Sequence, residues 1–238
     1  MILDNVKVVL FDLDGTLLPM DEEYFTKLYF KALAARCAPL GYETESLIKG
    51  VWSGTAAMIK NDGKASNKDV FWRTFADIFG DKAYDDAADF DEFYRNEFAC
   101  AKEACGFNPL AAEAVNLIKS MGLRTALATN PVFPRTATEN RVRWAGLDPK
   151  DFELITVYEN SSYCKPNPDY YLDICTRLGV SPSDCLMVGN DVKEDMCAEK
   201  LGMKVFLLTD CLINTDGLDC SSYPQGGFSE LIRLIKEG

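Results

Sequence analysis

Two aspartates two residues apart, Asp12 and Asp14, follow the apolar run Val8–Phe11 and are followed by Gly15 and Thr16. A short apolar run of this kind reads as a buried strand, so the pair sits where a strand ends. In an open α/β sheet, that end is where ligands bind. Alternating side-chain directions put both carboxyls on one face, and Gly15 permits a turn that a Cβ would hinder. Two carboxyls aimed at one point can divide the work of a displacement. One attacks phosphorus; the other gives a proton to the leaving oxygen and later takes one from water.

Three further segments carry chemistry by residue type. Thr129-Asn130 closes a second apolar run. A hydroxyl, an amide and the following backbone N–H groups there can hold a phosphoryl oxygen. Lys165 stands just before Asn167-Pro168, which reads as a helix start. An ammonium beside a helix N-terminus suits phosphate and balances clustered carboxylates. Finally, Val188-Gly189-Asn190-Asp191-Val192-Lys193-Glu194-Asp195 again sets acids directly after a buried strand, with Asp191 and Asp195 on one face if a helix begins promptly. Hard carboxylate oxygens point to Mg²⁺ over a transition metal. The chain has no histidine and no C-x-x-C pair, which excludes a Cys/His zinc site. The ion would partly neutralise a substrate phosphate and the first two aspartates.

Short apolar runs at 6–11, 124–129, 152–157, 185–188 and 204–208 are expected to form the strands of a parallel sheet covered on both faces. Helical patterns lie between them, one opened by Asn108-Pro109 and closed by Gly122, another opened by Asn167-Pro168 and closed by Gly179. The alternation implies an α/β fold. From 21 to 105 no strand is legible. Four helical patterns fill that stretch, at 22–37, 44–60, 67–79 and 88–104, and read as a bundle inserted after the first strand, its aromatics forming the bundle's own core. The segment 209–228 reads as a long surface loop, and 229–236 as a closing helix.

Net charge is −12 over 238 residues, which argues against a nucleic-acid or anionic-membrane surface. No stretch approaches the roughly 18 apolar residues of a membrane span. The N-terminus lacks a basic region before its apolar run, unlike a secretory signal. Nine cysteines, several inside apolar runs (Cys37, Cys175, Cys185, Cys197), are expected to be buried reduced thiols of a cytoplasmic protein.

Taken in order, Asp12-Leu13-Asp14-Gly15-Thr16, Thr129, Lys165 and Asp191 resemble the four motifs of the haloacid dehalogenase superfamily, most of whose members are phosphatases. The resemblance covers nearly the whole chain. It implies a Rossmann-like catalytic core built from residues 1–18 and 106–238, with a type 1 helical cap at 19–105. It also implies Mg²⁺-dependent hydrolysis of a small phosphorylated metabolite. By position, Asp12 would be the nucleophile and a metal ligand, and Asp14 the general acid/base with its backbone carbonyl on the metal. Thr129, with Asn130, would bind the phosphoryl group, and Lys165 would steady its charge. The fourth motif departs from the commoner Gly-Asp pattern, because Asn190 follows Gly189. The third ligand is then Asp191 or the Asn190 side-chain oxygen, with charge favouring Asp191, and Asp195 would orient Lys165 or a bound water. In the cap, Trp52 is expected to pack rather than to contact ligand. Three alternatives remain open. A 2-haloacid dehalogenase lacks the second aspartate, a phosphomutase uses the same intermediate, and a receiver-like signalling module is about half this length.

Overall fold

The computed structural model describes residues 2–237. The chain is α/β. A parallel sheet runs in the order β2-β1-β3-β4-β5. Its strands are β1 (Val8–Phe11), β2 (Arg124–Leu127), β3 (Cys185–Gly189), β4 (Lys204–Leu208) and β5 (Gln225–Gly226). β1 is buried at every residue because both of its faces are covered. Val9 and Phe11 pack with α6 (Pro109–Ser120) and α9 (Phe228–Lys236), while Val8 and Leu10 pack with α8 (Pro168–Leu178). The period of two thus divides one apolar run between two layers of helix. Asn108 accepts from Leu110 N and Asn167 from Asp169 N, both at 3.0 Å, so the Asn-Pro pairs cap α6 and α8 as their sequence implies.

Between β1 and α6 the chain contributes helices and no strand of the sheet. These are α1 (Glu22–Cys37), α2 (Thr44–Ile59), α3 (Asn67–Phe79), α4 (Lys82–Asp85) and α5 (Ala87–Arg95), followed by a 3₁₀ segment, Glu97–Ala104. They bury their own cluster, dominated by Phe25, Phe71, Trp72, Phe75, Phe90 and Phe93. Gly50 and Gly54 let α2 approach α3, since a Cβ at either would stand 2.5 Å from the rings of Phe79 and Phe71.

Four expectations are corrected. The segment 88–104 is not one helix, because Asn96 breaks it by donating its amide to Glu92 O (3.0 Å), a local bond that competes with the helix. The segment 152–157 is not a strand. Ile155 makes one parallel bridge to Leu127, and then Asn160 holds Val157 N and Ile155 O (3.0 Å each) and turns the chain away. The loop 209–228 contains β5, paired with Leu207 and Leu208 and too short to show a period. Trp52 is 52% exposed, since it packs on one side only, against Phe30 of α1 at 5.5 Å, and its other side lines an open cavity. All nine cysteines are free, with Cys37, Cys164, Cys175 and Cys185 buried and Cys197 half-buried. Among the described residues, no helix is long and apolar enough to cross a membrane.

Candidate active site

The sheet brings the ends of β1 and β3 side by side, because Asp12 N donates to Val188 O at 2.9 Å. Asp12 is 7% exposed and both of its oxygens are engaged. Oδ1 accepts from Lys165 Nζ at 2.9 Å. Oδ2 lies 2.9 Å from Thr16 Oγ1, which lies 2.9 Å from Asn190 Oδ1. One hydroxyl proton is therefore shared between two acceptors, leaving an oxygen-rich corner. Gly15 is needed here twice over. Its φ is +75°, and a Cβ would stand 2.3 Å from Asn190 Nδ2.

Lys165 is buried and also donates to Asp195 Oδ1 at 2.6 Å. Burial alone would discharge the ammonium. Asp12 and Asp195 outweigh it and hold the lysine well above its ordinary range. Burial likewise holds Asp195 above the usual carboxylate range, against the pull of Lys165. No helix starts at Asp191 as one-face spacing would require. The chain turns instead, and Asp195 Oδ2 folds back to accept from Asp191 N at 3.0 Å. Gly189 makes room for this, since a Cβ there would stand 2.1 Å from Asp195 Oδ2. Asp191 uses Oδ1 to accept from Lys193 N (2.7 Å) and Glu194 N (2.8 Å).

Thr129 is buried, and its carbonyl accepts from Thr156 Oγ1 (2.7 Å) and Tyr170 Oη (2.8 Å), which fixes the loop after β2. Asn130 donates to Glu194 Oε2 at 3.0 Å, and its Oδ1 is buried with no partner. The structure thus joins Asp12, Lys165, Asn190 and Asp195 directly through side chains, and links Asn130 to the same loop through Glu194.

Asp14 turns elsewhere. Its Oδ2 is ion-paired with Arg141 on α7 (Arg135–Trp144), while Oδ1 is buried without a partner. Burial pushes this carboxyl up, opposed by Arg141 and reinforced by Asp12. Arg141 is itself buried, lies over the Phe133 ring at 4.4 Å and donates to Ala137 O at 3.4 Å. Sequence reasoning missed it. Arg135 and Arg143 share its helix, and only the small Ala137 four residues earlier marks that face as buried. Glu22, at the start of α1, was also missed. Burial raises its pKa first, then Asp14, Asp191 and Asp12, so it adds a carboxylate to the group.

The named acids are Asp12, Asp14, Glu22, Asp191, Glu194 and Asp195, against the two cations Lys165 and Arg141. Such an excess repels a phosphate unless a cation enters. Among the described residues no three His, Cys, Asp or Glu side chains are already arranged around a metal. The donors nevertheless fit a hard ion, with the proton-poor Asp12–Thr16–Asn190 corner presenting oxygen.

Glu194 offers a test of this crowding. Burial above all, with Asp191 and Asp195 adding to it against Lys165, pushes its carboxyl from 4.5 up to about 7. A folded pKa above the unfolded one favours folding below pH 4.5 and loses that contribution as pH rises through about 7. In metal-free buffer, Glu194→Gln is expected to gain roughly 2 kcal/mol over wild type between about pH 5 and pH 8, read by urea unfolding. Parallel pH profiles for the two proteins would contradict it.

A family model described as haloacid dehalogenase-like hydrolase matches residues 6–200, and the chain belongs to that family. YhcW of Bacillus subtilis (strain 168) is 30% identical over 121 residues, covering 51% of this chain and 54% of that protein. This chain thus spans about half the length of that curated relative. Among solved structures, the HAD phosphatase from Thermococcus onnurineus is similar with TM-score 0.57 and 20% identity, over 97% of this chain and 98% of that one. The 2-haloacid dehalogenase from Pseudomonas syringae pv. Tomato DC3000 reaches TM-score 0.60 at 20% identity, over 98% and 99%. Likeness at that identity establishes the fold alone. The two names attach different reactions to it, so the reaction has to be argued from the side chains.

Proposed function

We propose that this protein is a Mg²⁺-dependent phosphatase acting on a small phosphorylated metabolite through an aspartyl-phosphate on Asp12. The observation that carries the reading is the setting of Asp12, held between buried Lys165 and an oxygen-only corner, with a second carboxyl two residues on. In the first step an Asp12 oxygen attacks phosphorus as the ester P–O bond breaks, and Asp14 gives its proton to the departing alcohol oxygen. In the second, Asp14 takes a proton from water, the water oxygen bonds to phosphorus, and the bond to Asp12 breaks to release phosphate. Burial shifts Asp14 upward, the direction that suits a group handing a proton to the leaving oxygen. Lys165 and Thr129, with Asn130, would hold the phosphoryl oxygens.

Mg²⁺ would be held by Asp12, the Asp14 carbonyl and a third ligand from the loop after β3, and would supply charge neutralisation for the phosphoryl group. Both earlier candidates for the third ligand stay in view. The nearness of Asn190 Oδ1 to the Asp12 corner supports Asn190, while Asp191 has one carboxylate oxygen left after capping Lys193 and Glu194. Asp14 also favours this reading over 2-haloacid dehalogenation, which has no leaving alcohol to protonate. Hydrolysis of para-nitrophenyl phosphate with Mg²⁺ tests the proposal. Chelation by EDTA is expected to lower the rate by at least about 100-fold, with recovery on adding Mg²⁺. Full activity in EDTA would exclude the metal role.

The reading includes two structural parts, a core of residues 1–18 and 106–238 and a cap of residues 19–105. The all-helical insertion, which adds no strand to the sheet, supports that division. Closure of the cap would exclude water during attack. The cysteine spacing supports a reducing, cytoplasmic setting.

A further inference from the structure

A cavity of about 220 Å³ lies between the helical insertion and the carboxyl end of the sheet. Asp14, Arg141 and Glu22 line its charged part, and aromatic side chains dominate the rest, among them Phe30, Trp52, Phe71, Trp72, Phe90 and Phe133. Its hydroxyls are few, at Thr26, Tyr29, Thr55, Tyr94 and Tyr158, and some of them are engaged within the wall. Tyr29 and Tyr94 hydrogen-bond each other at 2.9 Å, and Thr55 Oγ1 donates to Val51 O at 2.9 Å. A polyhydroxylated group entering here would lose water and find few replacements, at a cost for each hydroxyl.

We propose that this cavity holds the leaving group, and that the substrate is a phosphomonoester whose alcohol carries a flat aromatic ring. The proposal rests on the phosphatase reading, because it is Asp14 that joins the cavity to Asp12. Size agrees with this occupant. An apolar cavity of about 150 Å³ takes benzene, so 220 Å³ takes a substituted ring or a small bicycle. Aromatic walls favour edge-to-face or offset contact with such a ring. The phosphate would lie toward Asp12 and Lys165, and the ring toward Phe71 and Trp72.

The test compares three phosphates of primary alcohols, so that leaving-group basicity does not dominate: 2-phenylethyl phosphate, ethyl phosphate and glycerol 3-phosphate, each with Mg²⁺. The aromatic ester is expected to exceed both others in kcat/KM by roughly tenfold to a hundredfold, the worth of burying one ring. Equal values, or a preference for glycerol 3-phosphate, would overturn the pocket assignment and leave the phosphatase reading standing. If none of the three turns over while para-nitrophenyl phosphate is hydrolysed, the pocket assignment is overturned; if para-nitrophenyl phosphate is not hydrolysed either, the phosphatase reading falls. Calorimetric binding of 2-phenylethylphosphonate against ethylphosphonate then decides the pocket by itself, equal affinities rejecting it.

Discussion

Asp12→Asn is expected to cut phosphatase turnover by roughly four orders of magnitude or more, the scale on which enzymes lose rate with their nucleophile. The change is small in shape. Asparagine keeps an oxygen for the Thr16 hydroxyl, and Asp195 still pairs with Lys165. What disappears is the anionic oxygen able to form the bond to phosphorus, together with one charge that a divalent ion would bind. Rates with para-nitrophenyl phosphate and Mg²⁺ should be compared alongside circular dichroism, so that a folded and silent variant is distinguished from an unfolded one. A folded variant retaining more than about a tenth of the wild-type rate would remove Asp12 from the mechanism.

Lys165→Met should be the most damaging single change to stability. The lysine shows 1% of its side-chain surface and joins two carboxylates, Asp12 and Asp195, that show 10% and 1%. Methionine matches its length but leaves two buried anions facing each other without a counter-charge. Breaking a buried pair in this way costs about 3–5 kcal/mol, which in a protein of this size lowers the melting midpoint by roughly 10 °C. The double variant Lys165→Met with Asp195→Asn should recover part of that loss, because one of the orphaned charges is then gone. A single variant that unfolds within about 1 kcal/mol of wild type would show that the lysine is not the counter-charge of a buried site. Activity is expected to vanish in both variants, since the phosphoryl group loses its ammonium partner.

Both predictions concern residues that the sequence singled out, and for Asp12 the reason is local. An apolar run long enough for one strand, followed at once by a carboxylate, fixes where that carboxylate stands relative to the sheet. Asp12 after β1 and the 189–195 loop after β3 follow from this alone, as do the caps at Asn108 and Asn167. Where the signal depended on two elements meeting, it failed. The run 152–157 has strand composition, but Asn160 diverts it after one bridge. The stretch 88–104 has helical composition, but Asn96 offers its own carbonyl-seeking amide.

The site divides in the same way. Types and spacing alone placed carboxylates directly after β1 and β3, because alternation along a strand and the turn at Gly15 act over a few residues. Tertiary structure decided which carboxylate each cation serves. Lys165 reaches Asp12 across 153 positions and Arg141 reaches Asp14 across 127, and only Ala137 locally separates Arg141 from Arg135 or Arg143 on the same helix. It decided too that bundle aromatics, indistinguishable by composition from core, leave a chamber beside Asp14. Packing places side chains by volume and by the faces of neighbouring elements, and neither quantity is written in any single segment.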